Sequence, residues 1–389
     1  MWRITTLVVA ALVVSLVSLD FFSNVAPYVW ICLSWLIVCV YTAKYSKNTF
    51  TKAAAVNLAA VLLVLGSFEG YLYGTSSEKW EKSRDEVRNQ EGEIARRAEK
   101  HRILGWAPIK GQVVAWKRYH EDRVVFDVVY TIDKNGLRVS HAEPGRNKQE
   151  CVLFFGGSYT FGAGVNDDQT MPYLVGSRVS KGFRIYNFGY SGYGAHHMLA
   201  SLDHGMVDDT IDCHPKYVVY QGIVDHVRRS ANKVRWSKGG PKYELGRDGK
   251  LVYRGQFNDE HNILVSKMKA QMRKSYISRM LTSRTTKDDI TLLVTIIDAS
   301  RRHVERHYAG SEFHVLFWDG NEHWWIPTEI MAQLKEKEIR AHPISEILPD
   351  YRYKSSRYAF SEADAHPNPL AHRILADYVI TEIIGENGK

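Results

Sequence analysis

The chain has 389 residues, a formal net charge of +8, and hydrophobic side chains at 45% of its positions. A chain of this length can hold more than one structural unit. Its basic residues are mixed with acidic ones and lack an aromatic-basic recognition motif, which argues against nucleic acid as a partner. Anionic lipid headgroups or an acidic glycan are compatible with the charge.

Three apolar segments predict a membrane domain over residues 1-75. They cover residues 4–19, 26–43 and 53–73. Each approaches the ~20 residues that a bilayer-crossing helix requires. A cleaved signal peptide is the alternative for the first segment, but no small-x-small cleavage site follows Leu19. We therefore expect three transmembrane helices in contact with the lipid bilayer.

The positive charges around these segments predict how the chain is oriented. Arg3 precedes the first segment, and residues 20–24 carry no positive charge. Three lysines lie between the second and third segments, namely Lys44, Lys47 and Lys52. Because positively charged loops stay in the cytoplasm, the N-terminus should be cytoplasmic and the chain after the third segment periplasmic or otherwise extracytoplasmic. A bacterial-type inner membrane is the predicted location.

Residues 76-149 are expected to connect the membrane domain to the rest of the chain. Residues 76–100 are dense in Glu, Lys and Arg, which is typical of a solvated helix or linker. Farther on, three β-favouring runs and an Asp-Lys-Asn-Gly turn signal predict a small β appendage. The runs are 113–116, 124–126 and 128–132.

Residues 150-389 alternate between strand-like and helix-like patterns. Strands are predicted at 152–155, 184–188, 217–221, 313–317 and, more weakly, 339–342. Helices are predicted at 171–179, 196–207, 326–335 and 367–384. This alternation predicts an α/β domain whose parallel sheet has helices on both faces. A long insertion is expected at about 226-310, and it should contain a hairpin around Asp248 and Gly249 followed by helices at about 263–281 and 287–307.

A serine stands at the end of the first of these strands. The apolar run 151–155 stops at Gly156 and Gly157, and such a strand delivers the next side chain, Ser158, to a tight turn. Open α/β sheets bind their ligands at this C-terminal edge of the strands. Taken alone, the same stretch would also fit an ordinary loop.

An acid and an imidazole, Asp364 and His366, precede the last predicted helix. Serine, histidine and aspartate are the set that activated hydroxyl chemistry requires. His366 would take the proton of Ser158, while Asp364 would orient the imidazole and stabilise its charged form. These three residues are therefore the predicted catalytic triad.

Four short blocks resemble those of the SGNH (GDSL-type) hydrolases, and they are 156–162, 187–192, 220–225 and 364–368. The resemblance covers roughly residues 150 to 385. It implies a three-layer αβα, flavodoxin-like parallel sheet. It also implies that the backbone N–H groups of Ser158 and Gly192 hold the oxyanion, and that neither a metal nor an organic cofactor is needed.

Two features depart from the pattern of that family. Val224 occupies the place of the family's oxyanion asparagine, and losing one such donor costs about 100-fold to 1000-fold in rate. Gln221, or the pair Asp225 and His226, are candidates to supply a substitute. In the last block, one residue rather than the usual two separates the acid from the histidine, a spacing found in branches of the family that act on polysaccharides.

The resemblance also bears on the four cysteines. In the sheet order of this family, the strands beside Cys151 and Cys213 are neighbours, and the predicted compartment is oxidising. We hypothesise a disulfide between these two residues, with two unpaired buried thiols as the alternative. Cys32 and Cys39 lie in the second apolar segment and are expected to be packing residues.

Several other residues are candidate substrate contacts at the predicted active edge. Asp225 and His226 follow the third strand, where a simple salt bridge is equally expected. Trp324 follows the fourth strand, and a tryptophan face stacks on sugars but also fills cores. His196 and His197 are expected to be structural, because adjacent helical residues point about 100° apart and no partners stand at metal-ligand spacing.

With the resemblance, these residues predict a membrane-anchored serine esterase or deacylase acting on O-acyl esters, chiefly O-acetyl esters, of a cell-surface glycan. One alternative is an O-acyltransferase that moves an acyl group, supplied by a membrane partner, to a polysaccharide or glycolipid hydroxyl. Because Val224 lacks a donor, a non-catalytic glycan-binding or scaffold protein on the same fold is a second alternative. A lipase or thioesterase would need an apolar acyl tunnel, which no segment indicates.

Overall fold

The computed structural model describes residues 2–21, 27–75, 83–141, 149–179, 182–234, 239–259, 272, 274–282, 284–320, 325–362 and 364–385. The chain divides into two compact units. The first comprises Met1–Trp80 with Glu260–Arg284, and the second comprises Glu81–Asp259 with Thr285–Lys389.

The first unit is helical, with α1 (Trp2–Phe21), α2 (Pro27–Tyr45) and α3 (Thr49–Thr75). Two of these helices are long and apolar enough to cross a membrane, over Tyr28–Tyr45 and Thr49–Thr75. Within α1, the apolar part among the described residues is the shorter Ile4–Ser15. The second and third predicted spans are thus supported by length and composition, and the first, in α1, stays a prediction.

A short helix, Tyr276–Thr282, belongs to the same unit and packs beside α3. Its first turn is held by Glu69, which is only 1% exposed. Ser275 Oγ and the N–H groups of Tyr276 and Ile277 donate to the Glu69 carboxylate at 3.0, 2.6 and 3.0 Å. The expected insertion at 226-310 is therefore not one continuous piece of the α/β domain.

The centre of the second unit is a five-stranded parallel sheet in the order β12-β11-β8-β6-β7. Its strands are β6 (Glu150–Gly156), β7 (Phe183–Asn187), β8 (His214–Ile223), β11 (Glu312–Trp318) and β12 (Arg340–Pro343). The predicted parallel sheet is confirmed, and the weak fifth strand is present at its edge.

Helices pack on both faces of this sheet. They are α4 (Ser158–Phe161), α5 (Met171–Val179), α6 (Ala195–Asp203), α7 (Asp225–Ser230), α9 (Lys287–His307), α10 (Trp325–Glu336), α11 (Ile344–Ile347) and α12 (Pro369–Tyr378), the helix Tyr276–Thr282 being α8 in chain order. Alternate side chains of β6 point to opposite faces. Leu153 shares a core with α6 and α9, whereas Val152 shares one with α5 and α12.

The helix predicted at 287–307 is present as α9, but its packing contradicts the prediction that 226-310 is an insertion outside the layers of the domain. Its apolar face is buried in the core of the sheet, through Ile290, Leu293, Ile297 and their neighbours. Thr286 caps its first turn by accepting from the Asp289 N–H. A helix buried to this extent is one of the layers of the domain, so its sequence position inside the expected insertion was misleading.

Small antiparallel sheets precede the strands of the parallel sheet in the chain, follow them or, in the case of β9 and β10, lie between β8 and β11. They contain β1 (Ser83–Arg88), β2 (Ala98–His101), β3 (Gly105–Pro108), β4 (Val113–His120), β5 (Arg123–Thr131), β9 (Pro241–Leu245), β10 (Leu251–Gln256), β13 (Ala359–Ser361) and β14 (Asp364–Pro367). β1, β4 and β5 form one sheet, and β2 pairs with β3. The prediction of a helix or linker over 76–100 is wrong where β1 and β2 form. Pairing with β4 and β3 overrode the local charge density there.

The hypothesised disulfide is present. Cys151 on β6 and Cys213, just before β8, are bonded with a Cα–Cα distance of 5.9 Å. The bond joins the starts of two neighbouring parallel strands, at the opposite end of the sheet from Ser158. Cys32 and Cys39 are free, as expected.

Candidate active site

Ser158, the predicted nucleophile, stands on a sharp turn where β6 becomes α4. Gly156 has a φ of +153°, and a Cβ there would stand 2.1 Å from Thr160 Oγ1 and 2.7 Å from the Gln221 carbonyl oxygen. Only glycine therefore permits this approach. Ser158 begins α4 immediately afterwards, and its side chain is largely buried at 8% exposure.

The three triad residues predicted from the sequence lie in direct contact. His366 Nε2 is 2.8 Å from Ser158 Oγ, and His366 Nδ1 is 2.5 Å from Asp364 Oδ1. Asp364 and His366 both lie on β14, and the His366 N–H also donates to Asp364 Oδ1 at 3.1 Å. One intervening residue therefore allows Asp364 Oδ1 to contact both the backbone N–H and the imidazole Nδ1 of His366.

The surroundings of β14 keep the imidazole in place. Tyr159, next to the nucleophile, donates from its hydroxyl to the Ala365 carbonyl at 2.8 Å. Its ring centroid lies 5.3 Å from that of His366. Asn368 caps α12 by accepting from the Ala371 N–H. These contacts tie the turn that carries the nucleophile to the strand that carries the base.

Electrostatics around Asp364 favour its ionised form. Burial raises the pKa of this carboxyl, but hydrogen bonds and charge from His366, followed by a hydrogen bond from Arg118, lower the pKa to about 2. An ionised Asp364 accepts the Nδ1–H of His366, which leaves Nε2 as an acceptor for the Ser158 hydroxyl proton. This is the tautomer that general-base activation of a serine requires.

Arg118 is a functional residue that sequence reasoning missed. Its Nη1 donates to Asp364 Oδ2 at 2.9 Å, while its Nε and Nη2 donate to the two oxygens of Asp85 at 2.8 and 3.0 Å. The guanidinium lies over the ring of Trp116, 4.9 Å from its centroid. Val114 and Trp116 are buried on one face of β4. Because alternate residues of a strand share a face, Arg118 lies on that same inward face, and a charged residue at an inward position was the signal that could have identified it.

The second block forms the loop that carries the expected oxyanion donor Gly192. Gly192 has a φ of +87°, a left-handed conformation that favours glycine. Trp106 on β3 donates from Nε1 to the Ser191 carbonyl at 3.1 Å, and Tyr193 donates from its hydroxyl to the Trp106 carbonyl at 2.7 Å. The β2–β3 hairpin therefore holds the oxyanion loop from outside the sheet.

The third block brings other side chains than expected to the site. Val224 precedes the first turn of α7 and offers no donor. The Asp225 carboxylate accepts from Arg229 Nε at 2.8 Å, and Arg229 Nη1 donates to the Tyr193 carbonyl at 2.8 Å. Asp225 thus orients an arginine that reaches the second block.

The remaining candidates occupy other positions. Gln221 is buried, with its side-chain oxygen accepting from Thr160 Oγ1 at 2.9 Å. His226 is 1% exposed and stands beside the nucleophile turn, as described below. Trp324 lies outside the described residues.

His196 and His197 are packed into the core rather than arranged as ligands. The His197 ring stacks on Tyr193 with centroids 4.2 Å apart, and His196 Nδ1 lies 3.2 Å from Ser230 Oγ. Burial lowers the pKa of both, that of His196 to about 3, so both are neutral. Within the described ranges, no group of three or more His, Cys, Asp or Glu side chains is arranged to hold a metal ion.

No protein-family model and no curated protein sequence matches this chain. Solved structures do resemble it. One is a protein of the lipolytic G-D-S-L family from Desulfitobacterium hafniense DCB-2, with 12% identity over 59% of this chain and 97% of the other and a TM-score of 0.37. A second is LAE5, an alpha/beta hydrolase enzyme from the metagenome of Lake Arreo, with 12% identity over 64% and 98% of the two chains and a TM-score of 0.37.

A third similar structure is a variant of Axe2, an acetyl xylan esterase from Geobacillus stearothermophilus. It has 13% identity over 62% of this chain and 97% of the other, with a TM-score of 0.35. At such identities and TM-scores, the chemistry of this chain has to be inferred from the contacts of its own side chains. Those contacts join Ser158, His366 and Asp364 in the order of a hydrolytic triad.

Proposed function

We propose that this protein is a serine esterase of the SGNH type, with a three-layer flavodoxin-like domain, and that Ser158 is its nucleophile. The observation that carries the proposal is the continuous chain of contacts from Ser158 Oγ to His366 and on to Asp364, at 2.8 and 2.5 Å. Nucleophile, base and orienting acid within hydrogen-bond reach of one another are the signature of an activated hydroxyl.

The reaction follows from this geometry. Ser158 Oγ attacks the ester carbonyl carbon while its proton passes to His366 Nε2, and the charge on the imidazolium is balanced by Asp364. The carbonyl oxygen becomes an oxyanion, to which the N–H groups of Ser158 and Gly192 would donate. His366 then protonates the departing alkoxide, leaving an acyl group on Ser158. A water activated by His366 releases the acid and restores the serine.

We further propose that the enzyme is anchored in a bacterial-type inner membrane with the catalytic unit on the periplasmic side. Two helices of suitable length and composition, Tyr28–Tyr45 and Thr49–Thr75, support an anchor. The Cys151–Cys213 disulfide supports an oxidising compartment, because cytosolic thiols are kept reduced. The proposed substrate is an O-acyl ester, chiefly an O-acetyl ester, of a cell-surface glycan, in line with the resemblance of the four sequence blocks.

An O-acyltransferase is the second candidate, because both reactions share the acyl-enzyme on Ser158. The exposure of His366, whose side chain is 23% accessible, leaves room for a hydroxyl acceptor as well as for water. In that case a membrane partner would supply the acyl group. Adding acetylated donor and a glycan acceptor together distinguishes the two, since transfer yields an acylated acceptor and hydrolysis yields free acid.

The deciding experiment uses the full-length protein purified in detergent. We expect it to hydrolyse p-nitrophenyl acetate and to be labelled by a fluorophosphonate at Ser158. Ser158→Ala should abolish both activities, while Ser177→Ala, which removes an exposed hydroxyl on α5, should leave both unchanged. A wild-type protein that neither hydrolyses esters nor is labelled would instead support the non-catalytic glycan-binding or scaffold protein.

A further inference from the structure

The space beside Gly157, the residue before the nucleophile, is enclosed by polar atoms of the second and third blocks. A Cβ on Gly157 would stand 3.0 Å from His226 Nε2, from Arg229 Nη1 and from the Tyr193 carbonyl oxygen. The Tyr193 carbonyl already accepts from Arg229. His226 Nε2 is buried and has no hydrogen-bond partner among the described residues. An unsatisfied imidazole nitrogen in this position is costly unless something binds it.

The tautomer of His226 depends on its other contacts. The Tyr220 hydroxyl oxygen lies 2.6 Å from His226 Nδ1, within hydrogen-bond distance. The role proposed below requires the Tyr220 hydroxyl to donate to Nδ1, which then accepts and carries no proton. Burial lowers the pKa of His226 well below its usual range, and the nearby Arg229 lowers it further, so the ring carries one proton. With Nδ1 accepting from Tyr220, that proton is on Nε2, and Nε2–H is then a donor beside Gly157.

Arg229 keeps this arrangement rigid. It is 7% exposed, and its guanidinium bridges Asp225 in the third block and Tyr193 in the second, directly after the oxyanion residue Gly192. His226 lies between Asp225 and Arg229 in the chain, on the same short helix α7. The donor is therefore held in place before any substrate arrives, which is the condition for electrostatic stabilisation of a transition state.

We propose that the Nε2–H of His226 is the third oxyanion donor, replacing the side-chain donor that Val224 cannot supply. Tyr220 sets its tautomer, and Arg229 is a positioning residue that couples it to the Gly192 loop. This inference rests on the proposed esterase function. It assigns a catalytic role to a histidine that neither gives nor takes a proton during turnover, in contrast to His366.

The test compares two amide substitutions that differ only in reach. In His226→Gln the amide nitrogen can occupy the place of Nε2, whereas in His226→Asn the amide reaches only the place of Nδ1, beside Tyr220. We expect His226→Asn to lower kcat for p-nitrophenyl acetate by about 100-fold to 1000-fold with KM little changed, and His226→Gln to stay within about tenfold of wild type. The rate of fluorophosphonate labelling should follow kcat.

His372→Asn is the matched control, because His372 is also buried and neutral, with Nδ1 accepting from the Met171 N–H and Nε2 without a partner among the described residues. Its kcat should equal that of wild type. Thermal unfolding checks that each variant is folded. If His226→Asn does not fold, Tyr220→Phe provides the test, since loss of the hydroxyl releases the tautomer and should lower kcat by about tenfold.

The outcomes separate this inference from the proposed function. Folded His226→Asn with wild-type kcat, or an equal loss in the Asn and Gln variants, would overturn the role of Nε2–H while leaving the esterase intact. Unchanged kcat in folded Tyr220→Phe would likewise overturn it. An inert and unlabelled wild-type protein would overturn the esterase and this inference together.

Discussion

Arg118 donates through Nη1 to Asp364 Oδ2 at 2.9 Å, although 246 positions separate the two residues in the chain. Arg118 is itself held by both oxygens of Asp85 on β1. The small antiparallel sheet, which precedes the nucleophile in sequence, therefore reaches behind the triad. Through Arg118 it holds the Asp364 carboxylate that contacts His366.

Replacing Arg118 should weaken catalysis and shift the pH dependence of stability. The pKa of Asp364 is about 2, below the ordinary 3.8, so its contribution to stability is complete above about pH 4 and is lost as the pH falls through about 2. Arg118→Met removes one cause of the lowered pKa, so the acid unfolding transition should move to higher pH. We expect kcat at pH 7 to fall by about 10-fold to 100-fold through loss of orientation.

Lys117→Met is the control for that variant. Lys117 is the neighbouring residue on β4 and pairs with Asp127 at the surface, at 3.0 Å. Because Lys117 does not contact the triad, its removal should leave kcat at pH 7 and the acid unfolding transition as they are in wild type. An Arg118→Met enzyme with the same kcat and the same acid unfolding transition as Lys117→Met would show that Arg118 does not act on the triad.

Trp106 should matter through the oxyanion loop. Trp106→Phe keeps an aromatic ring beside Tyr193 and His197 but removes the Nε1–H that donates to the Ser191 carbonyl. A loosened loop costs more in the transition state than in the bound substrate. We expect kcat to fall by about tenfold with KM nearly unchanged, measured on p-nitrophenyl acetate. A rise in KM at constant kcat would instead mean that the indole binds substrate.

The disulfide should contribute substantially to the stability of the catalytic unit. Cys151 and Cys213 are 62 positions apart, and closing a loop of that size restricts the unfolded chain by about 4 kcal/mol. Cys151→Ala/Cys213→Ala should therefore lower Tm, and a reductant should lower the Tm of wild type but not of the variant. The free cysteines provide the control, because Cys32→Ala/Cys39→Ala should leave the response to reductant unchanged. A wild-type Tm that is the same with and without reductant would contradict the prediction.

Glu69 should hold the helix Tyr276–Thr282 against α3. Its carboxylate accepts three hydrogen bonds, and charge-assisted bonds are about twice as strong as neutral ones. Glu69→Gln should therefore speed amide hydrogen exchange in Tyr276–Thr282, measured by mass spectrometry. Ser275→Ala removes one of the three donors and should give a smaller increase. Identical exchange in wild type and Glu69→Gln would show that the helix is held by other contacts.

The sequence by itself determined the parallel sheet and the three triad residues. A fully buried strand can be recognised locally, because it is a run of apolar residues. The glycines Gly156 and Gly157 at the end of such a run predict a sharp turn. Ser158, Asp364 and His366 then follow from the residue types that one reaction requires. The disulfide was hypothesised from the strand order that the family resemblance implies, and not from the residues alone.

Only the tertiary structure decided which other side chains complete the site. The strand β1, the burial of helix α9 in the sheet core and the contact of Glu69 with Tyr276 depend on partners distant in the chain, and no local periodicity encodes such partners. Arg118 behind Asp364 and His226 beside Gly157 are of the same kind. A hydrogen bond between residues far apart in sequence depends on how the layers pack, which becomes defined only when the whole chain has folded.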